Sequence, residues 1–227
     1  YRVPGVTSIS ADIHKYGYAA KGASTITYRN LDYLRYQMFV QPNWSGGVFA
    51  SSALLGTRPG GAYAGAWAAL QYFGIDGYKK LAAETLEAVN ILKNAIADIP
   101  ELEVMGNPQG PLFAYQSRDP DVNIFAVGDQ MDDKGWKVNK NQKPDGLHAM
   151  VTAQHLKVVH EYIADLKVAV ATVKANPELA NQGGAATYGM IAHVPLRGMI
   201  KKKVLEMYSD LYRAGGGSMD LSAEANA

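Results

Sequence analysis

The sequence contains no cysteine, and its positive and negative charges almost cancel. Without cysteine the chain cannot form disulfides, thiolate nucleophiles or cysteine-ligated zinc sites. Lys and Arg together number 22 and Asp and Glu 21, so no basic excess is available to bind the backbone of a nucleic acid. No apolar run approaches the roughly 18–20 residues of a membrane-spanning helix. What remains is enough apolar material for a sizeable core, since 48% of the 227 residues are hydrophobic.

The residue pattern in the first part of the chain predicts two strands and then an irregular segment. Arg2–Ser10 is β-branched and lightly charged, which is typical of a buried strand, and a turn at Asp12–Gly17 leads to a second strand at Ala23–Tyr28. The segment Leu31–Ser52 is aromatic and irregular, with Pro42 and two glycines that interrupt any long element.

Two helices are predicted next. The first covers roughly residues 62–73 and ends at Gly74, and the second covers about Asp76–Asp98 and stops before Pro100. The apolar positions of the second helix recur every three or four residues, as in a helix that buries one face.

The second part of the chain predicts a small α+β domain with the element order ββαββα over Leu102–Lys174. Gly135 is expected to end the first of its helices in a left-handed conformation. The predicted elements are strands at Leu102–Met105, Leu112–Ser117, Trp136–Asn139 and Leu147–Thr152, and helices at Ile124–Lys134, Gln154–Lys174 and Pro195–Arg213.

The densest group of chemically capable residues is SADIHKYGYAAKG, residues 10–22. If this stretch is extended, Asp12 and His14 share one face and Lys15 lies on the other. A lysine directly after a buried strand is partly desolvated, which lowers its pKa, and its neutral amine can then form a Schiff base with a carbonyl compound. The alternative is an ordinary exposed turn that happens to carry a His-Lys pair.

The wider stretch SISADIHKYGYAAKGAS resembles the cofactor-lysine segment of the group II decarboxylase family of pyridoxal-phosphate enzymes. The similarity continues through GTRPGGAYAGAWAALQYFG and GNPQGPLFAYQSRD, through Lys134–Trp136 and through Tyr188–Met190. The resemblance implies an α/β fold, the pyridoxal-phosphate-dependent transferase fold type I. Residues 1–100 would then be the end of the large cofactor-binding domain with its linker helices, residues 101–214 the C-terminal small α+β domain, and residues 215–227 a disordered tail.

The resemblance also implies a set of site residues. Lys15 is expected to form the Schiff base with pyridoxal 5'-phosphate, and His14 to contact the cofactor phosphate. Gly56 and Thr57 match a pair that reaches the cofactor phosphate of the neighbouring subunit, which is reasonable because N–H groups at a helix start bind anions. The alternative for this pair is a plain turn in which Thr57 caps the helix.

The prediction of a phosphorylated substrate depends on Lys21. In members of the family that act on phosphorylated long-chain bases, a lysine at the matching position binds the substrate phosphate. Many of those relatives have proline where this chain has Ala20, a departure that affects loop stiffness. The alternative is an ordinary surface lysine. Tyr16 and Tyr18 flank the group and are expected to pack as aromatic rings; the alternative is that either donates a hydrogen bond or relays a proton.

The function implied is that of an aldehyde-lyase, which cleaves sphingosine 1-phosphate or a related phosphorylated long-chain base by retro-aldol chemistry. The products would be phosphoethanolamine and a fatty aldehyde. One alternative is an amino-acid decarboxylase of the same family. Another is an inactive fragment or assembly half, because no residue here matches the family's aspartate at the pyridine nitrogen or its ring-stacking residue.

The family further implies a homodimer with shared active sites, to which the aromatic segment Tyr33–Phe49 is expected to contribute. No metal is expected, because the four other histidines lack the spacing of metal ligands. In this family the lysine that binds the cofactor lies past the middle of a longer chain, whereas here it is residue 15. We therefore expect the sequence to be the C-terminal portion of its protein. The expected compartment is the cytoplasm for a bacterial protein, whereas eukaryotic relatives carry a membrane anchor near the N-terminus.

Overall fold

The computed structural model describes residues 1–193 and 197–213. The chain divides into two compact units, Tyr1–Ala82 and Ala83–Ala227. The tail predicted at residues 215–227 lies outside the described residues. None of the helices in the described part is long and apolar enough to cross a membrane.

The first unit begins with the predicted pair of strands. Strand β1 (Ser8–Ala11) pairs antiparallel with β2 (Thr25–Tyr28), so the expected return of the chain is confirmed. β1 starts at Ser8 rather than at Arg2, because the residues around Gly5 form a turn. The prediction of a buried strand is wrong: both strands are largely exposed, since a two-stranded sheet leaves its faces open to solvent.

A helical turn and a second hairpin occupy the segment that sequence patterns predicted to be irregular. Helix α1 (Leu31–Leu34) starts where the Asn30 side chain accepts a hydrogen bond from the Tyr33 amide. Strand β3 (Phe39–Trp44) then pairs antiparallel with β4 (Gly47–Ser51). β3 tolerates a proline because each strand of a two-stranded sheet has a free edge.

Helix α2 (Gly60–Ala97) spans the boundary between the two units. Its backbone is non-helical at Gly74, where φ is 56° and ψ is −172°. This conformation is readily available only to glycine. The prediction that Gly74 separates two helices is therefore confirmed, although the first helix starts slightly earlier than expected.

The second unit contains a four-stranded antiparallel sheet with the strand order β5-β6-β8-β7. The observed order of strands and helices up to Ala175 confirms the predicted ββαββα pattern. Gly135 has φ of 93° after the first of these helices, as expected for a left-handed end. The elements are β5 (Leu102–Val104), β6 (Leu112–Ser117), α3 (Ile124–Asp133), β7 (Asn139–Asn141), β8 (Gly146–Met150), α4 (Val159–Ala175), α5 (Gly183–His193) and α6 (Arg197–Leu211).

A hydrophobic core forms where this sheet, α3, α4 and the second half of α2 meet. Burial of such side chains contributes about 1.5–3 kcal/mol each relative to an exposed position. The largest fully buried side chains are those of Tyr115, Phe125, Ile96, Leu102, Met131, Leu147 and Leu166.

Several boundaries in this unit differ from the prediction. β7 starts at Asn139 rather than Trp136, because the Trp136 indole is held by a hydrogen bond to Asp165 Oδ2 at 2.8 Å. The helix predicted from Gln154 is interrupted by non-helical dihedral angles at Val158, so α4 starts at Val159. The last helix was predicted from Pro195, which lies outside the described residues, so this start stays a prediction; α6 is described from Arg197 to Leu211.

Helix α5 was not predicted, because its glycine-rich start has a low intrinsic helix propensity. A hydrogen bond to a side chain of helix α3 compensates for this low helix propensity. The Ala185 amide donates a hydrogen bond to Asp129 Oδ2 at 2.6 Å, so a carboxylate of α3 caps the first turn of α5.

Candidate active site

The turn that carries Lys15 follows β1 directly; it covers residues 12–19 and is called the lysine turn below. Backbone hydrogen bonds close it: the Lys15 amide donates to the Asp12 carbonyl at 3.1 Å and the Tyr18 amide to the Lys15 carbonyl at 2.9 Å. The Ala19 amide donates to the Ile13 carbonyl at 3.1 Å. The chain is therefore not extended here, and Lys15 does not point away from Asp12 as an extended chain would place it.

Lys15 and Asp12 instead form an ion pair, with 2.6 Å between Nζ and Oδ2. The other carboxylate oxygen accepts a hydrogen bond from Ser24 Oγ at 2.6 Å. The hydrogen bonds from Lys15 and Ser24 lower the pKa of Asp12. The Asp12 carboxylate thus stays ionised and tethers the lysine amine to the end of β1.

The Lys15 side chain is 65% exposed, so the prediction that burial desolvates it is wrong for this chain. The backbone turns after β1 instead of continuing as a strand, so the Lys15 side chain points into solvent and does not pack against other residues of a core. A primary amine in this position is accessible to a carbonyl compound.

The His14 side chain is oriented by the backbone of the loop that precedes β2. Its Nδ1 lies 2.7 Å from the carbonyl oxygen of Ala23, and because a carbonyl only accepts, Nδ1 carries the proton. Nε2 lies 4.0 Å from Asp12 Oδ2, beyond hydrogen-bonding distance. The imidazole is mostly buried, yet Nε2 remains free to donate to an anion when the ring is protonated.

The lysine turn also contacts helix α2 within the first unit. The hydroxyl of Tyr78 donates a hydrogen bond to the Gly17 carbonyl at 2.8 Å. The rings of Tyr18 and Phe73 lie 5.9 Å apart, which agrees with the expected packing role of Tyr18. The sequence offered no signal for these contacts, because Tyr78 and Gly17 are 61 positions apart.

The remaining predicted site residues are exposed, and in the described ranges no hydrogen bond or ion pair joins them to Lys15, His14 or Asp12. Gly56 (φ 63°) and Thr57 lie in the loop just before α2, where the Gly56 amide donates to the Ala53 carbonyl at 3.3 Å. Lys21 follows the lysine turn, and no hydrogen bond or ion pair joins it to another residue in the described ranges. The structure brings Lys15, His14 and Asp12 together and leaves the other three open to solvent.

The residues present suit a phosphorylated aldehyde such as pyridoxal phosphate. Lys15 supplies an accessible primary amine, and His14 supplies a fixed imidazole next to it. Gly56 adds an exposed, left-handed backbone position where an added Cβ would meet no atom within 4 Å. Among the described residues no group of three or more His, Asp or Glu side chains is arranged to hold a metal ion.

Comparison with known proteins relates the chain to one group of enzymes. No family model matches it. It is 41% identical over 212 residues to a sphingosine-1-phosphate lyase of Arabidopsis thaliana, an alignment that covers 93% of this chain and 39% of the relative. The chain thus spans about two fifths of the length of that curated relative.

Solved structures give the same result. A sphingosine-1-phosphate lyase of Burkholderia pseudomallei is 35% identical, with a TM-score of 0.75 over 92% of this chain and 43% of that one. A glutamate decarboxylase of Lactobacillus brevis is 23% identical, with a TM-score of 0.63 over 76% of this chain and 42% of that one. Because its sequence identity is low, the glutamate decarboxylase supports the fold alone. Together they confirm the predicted α/β fold of fold type I enzymes.

Proposed function

Because the chain belongs to the sphingosine-1-phosphate lyase family, we propose that it carries the lysine-bearing part of a pyridoxal-phosphate-dependent aldehyde-lyase. The substrate is sphingosine 1-phosphate or a related phosphorylated long-chain base, which retro-aldol cleavage converts to phosphoethanolamine and a fatty aldehyde. The observation that carries the proposal is the turn that presents Lys15 as an accessible amine beside the fixed imidazole of His14.

Each residue has a distinct role in this proposal. Pyridoxal phosphate, when bound, supplies the ring that accepts the electron pair released on carbon–carbon cleavage. Lys15 would hold the cofactor through Nζ and, with its amine free again, would donate a proton to the substrate carbon. With both ring nitrogens protonated, His14 would donate from Nε2 to the cofactor phosphate. Gly56 and Thr57 would meet the cofactor phosphate of a second copy in the loop before α2. Because the Gly56 amide already donates to the Ala53 carbonyl, the Thr57 N–H is the backbone group that would donate to the phosphate.

Lys21 is proposed to bind the substrate phosphate. Its side chain is exposed and forms no ion pair within the described ranges, so its charge is available to an incoming anion. A cation six residues from Lys15 suits a substrate with both an amine and a phosphate. Amino-acid decarboxylation is not favoured, because the similarity to a decarboxylase is limited to the fold.

The role of Lys15 can be tested by trapping the attached cofactor. The whole protein is incubated with pyridoxal phosphate, reduced with borohydride and digested, and the modified peptide is identified by mass spectrometry. We expect the label on Lys15. Lys15→Arg, which keeps a cation beside Asp12 but has no suitable nucleophile, should lose it. Labelling spread over surface lysines, or unchanged in Lys15→Arg, would contradict the proposal and favour an inactive assembly half.

The reaction itself is tested by product analysis. The same protein is supplied with sphingosine 1-phosphate and, separately, with glutamate and aromatic amino acids. Phosphoethanolamine release with no carbon dioxide release supports the lyase. The opposite result supports the decarboxylase.

We also propose that the hairpin β3–β4 contacts a second copy of the protein. Phe39, Val40 and Val48 are 56–71% exposed, an unusual density of apolar surface on one hairpin. The double substitution Phe39→Glu and Val48→Glu should convert a dimer to monomers in sedimentation equilibrium. Val168→Glu, at an apolar position on α4 that is 52% exposed, serves as the control and should leave the mass unchanged. A dimer that survives the double substitution excludes this surface.

A further inference from the structure

We propose that Tyr78 is a positioning residue for Lys15, holding the lysine turn through the Gly17 carbonyl. The inference rests on the proposed attachment of the cofactor to Lys15. Tyr78 touches neither the amine nor any predicted cofactor contact. Its effect is on the backbone that follows the lysine.

The first support is the hydrogen bond itself. Tyr78 Oη donates to the carbonyl of Gly17, two residues after Lys15, at 2.8 Å. The turn is tight at this point, because a Cβ built on Gly17 would lie 2.5 Å from the carbonyl oxygen of Ile13. The acceptor is therefore part of a turn with little room to rearrange, and a bond to it restrains the peptide units that carry Lys15.

The second support is the way Tyr78 is itself held. Its ring packs on Phe73 at 5.4 Å between centroids, and Phe73 packs on Tyr18 at 5.9 Å. On a straight helix, residues five apart point about 140° away from each other. The non-helical conformation of Gly74 lies between Phe73 and Tyr78, so the kink accounts for the contact between their rings.

Tyr18 provides a matched comparison within the same cluster. Its hydroxyl is buried and has no hydrogen-bond partner among the described residues, whereas that of Tyr78 is bonded to Gly17. Tyr18→Phe and Tyr78→Phe each remove one hydroxyl from one ring of this cluster. Only Tyr78→Phe removes a bond to the lysine turn.

The first experiment is hydrogen–deuterium exchange of the whole protein without added cofactor. In Tyr78→Phe, the peptide covering residues 13–19 should exchange about two- to tenfold faster, the range expected for loss of one hydrogen bond of typical strength. Its amides include those of Lys15, Tyr18 and Ala19, which close the turn. Tyr18→Phe should exchange like the wild type. Equal exchange of this peptide in the wild type and Tyr78→Phe would overturn the proposal.

The second experiment follows attachment of pyridoxal phosphate by visible absorbance over a pH series. Tyr78→Phe should raise the dissociation constant of the cofactor about two- to tenfold and shift the pH at which the band changes. Tyr18→Phe should do neither. Faster exchange with unchanged cofactor binding and an unchanged pH profile would overturn the positioning role. If the wild type itself attaches no cofactor at Lys15, the proposed function fails, and the exchange comparison still decides whether Tyr78 holds the turn.

Discussion

At the scale of single residues, the environment of Lys15 differs from that of a lysine at the end of a buried strand. The amine is exposed and paired with Asp12, and the backbone turns immediately after it. Gly17 makes the turn possible, because the space a Cβ would need is filled by the backbone of Ile13. Local geometry, more than burial, therefore determines where the amine lies.

Gly17→Ala should destabilise the turn. The added methyl would lie 2.5–2.8 Å from the Ile13 backbone, so the turn must open, at a cost of about 1–3 kcal/mol. Gly65→Ala, on α2 with its nearest new contact at 4.0 Å, should be neutral or stabilising by up to about 1 kcal/mol. Urea unfolding of both variants measures the difference. A Gly17→Ala protein as stable as the wild type would exclude this account of the turn.

Lys21→Ala should weaken binding of phosphorylated substrate while leaving cofactor attachment intact. Removing a charge-assisted hydrogen bond to a phosphate costs about 1.5–3 kcal/mol, so KM should rise roughly 10- to 100-fold with a smaller change in kcat. Steady-state kinetics with sphingosine 1-phosphate provide the measurement. Lys79→Ala, an exposed lysine on α2, is the control. An unchanged KM in Lys21→Ala would remove the phosphate role.

At the scale of secondary-structure elements, ion pairs in the second unit join segments that are distant in sequence. The Lys140 side chain on β7 is 7% exposed and forms ion pairs with Asp129 and Asp132 of α3. Asp129 also accepts the hydrogen bond from the Ala185 amide at the start of α5. One carboxylate therefore neutralises a buried cation and caps a helix of low propensity.

Asp129→Ala should consequently destabilise the second unit. Lys140 keeps Asp132 as a partner, so the expected loss is about 2 kcal/mol, below the cost of a fully unpaired buried charge. Asp133→Ala removes an exposed carboxylate from the same helix and should change the free energy of unfolding by less than about 0.5 kcal/mol. Denaturant titrations compare the two. Equal stability of the two variants would show that Asp129 is dispensable.

Lys174 near the end of α4 should make stability depend on acid pH. Its ammonium lies 2.8 Å from Glu101 Oε1 and 3.0 Å from Asp119 Oδ2. The hydrogen bond from Lys174 lowers the pKa of Glu101, and that of Asp119 is lowered first by the Asp121 amide and then by Lys174. Groups with a depressed pKa contribute stability above their ordinary value near 4, and this contribution is lost as pH falls through the folded pKa.

Lys174→Met should therefore lose less stability than the wild type when the pH is lowered from about 5 to about 2. Thermal unfolding midpoints over this range give the comparison. Lys167→Met, which removes an exposed lysine of the same helix, should follow the wild type. Parallel pH curves for wild type and Lys174→Met would contradict the assignment.

At the scale of the whole molecule, the two units differ in how much apolar surface they bury. Within the described residues the first unit buries only Ala23 and Ala66 among its hydrophobic side chains, whereas the second contains the entire hydrophobic core cluster. Two buried alanines contribute little compared with the conformational entropy of about eighty residues.

A fragment from Ile75 to Ala227, which starts just after the kink of α2, should therefore fold by itself. We expect a cooperative thermal transition and dispersed amide resonances for this fragment, and neither for Tyr1–Gly74. The kink is a natural boundary because helical hydrogen bonding is already interrupted at Gly74. Cooperative folding of Tyr1–Gly74 alone would show that the first unit has a stable core of its own.

The sequence by itself determined the elements whose signals are local. The apolar face of α2, the left-handed Gly135, the ββαββα order and the motif around Lys15 all depend on residues a few positions apart. The fold class that the family resemblance implied is confirmed. Tertiary structure alone decided the exposure of Lys15, the hairpin β3–β4, the capping of α5 by Asp129 and the bond from Tyr78 to Gly17. The capping of α5 and the bond from Tyr78 join residues 56 and 61 positions apart, so no local pattern carries information about them. The exposure of Lys15 and the hairpin β3–β4 depend on backbone geometry between neighbouring residues, which the spacing of apolar and polar residues does not specify.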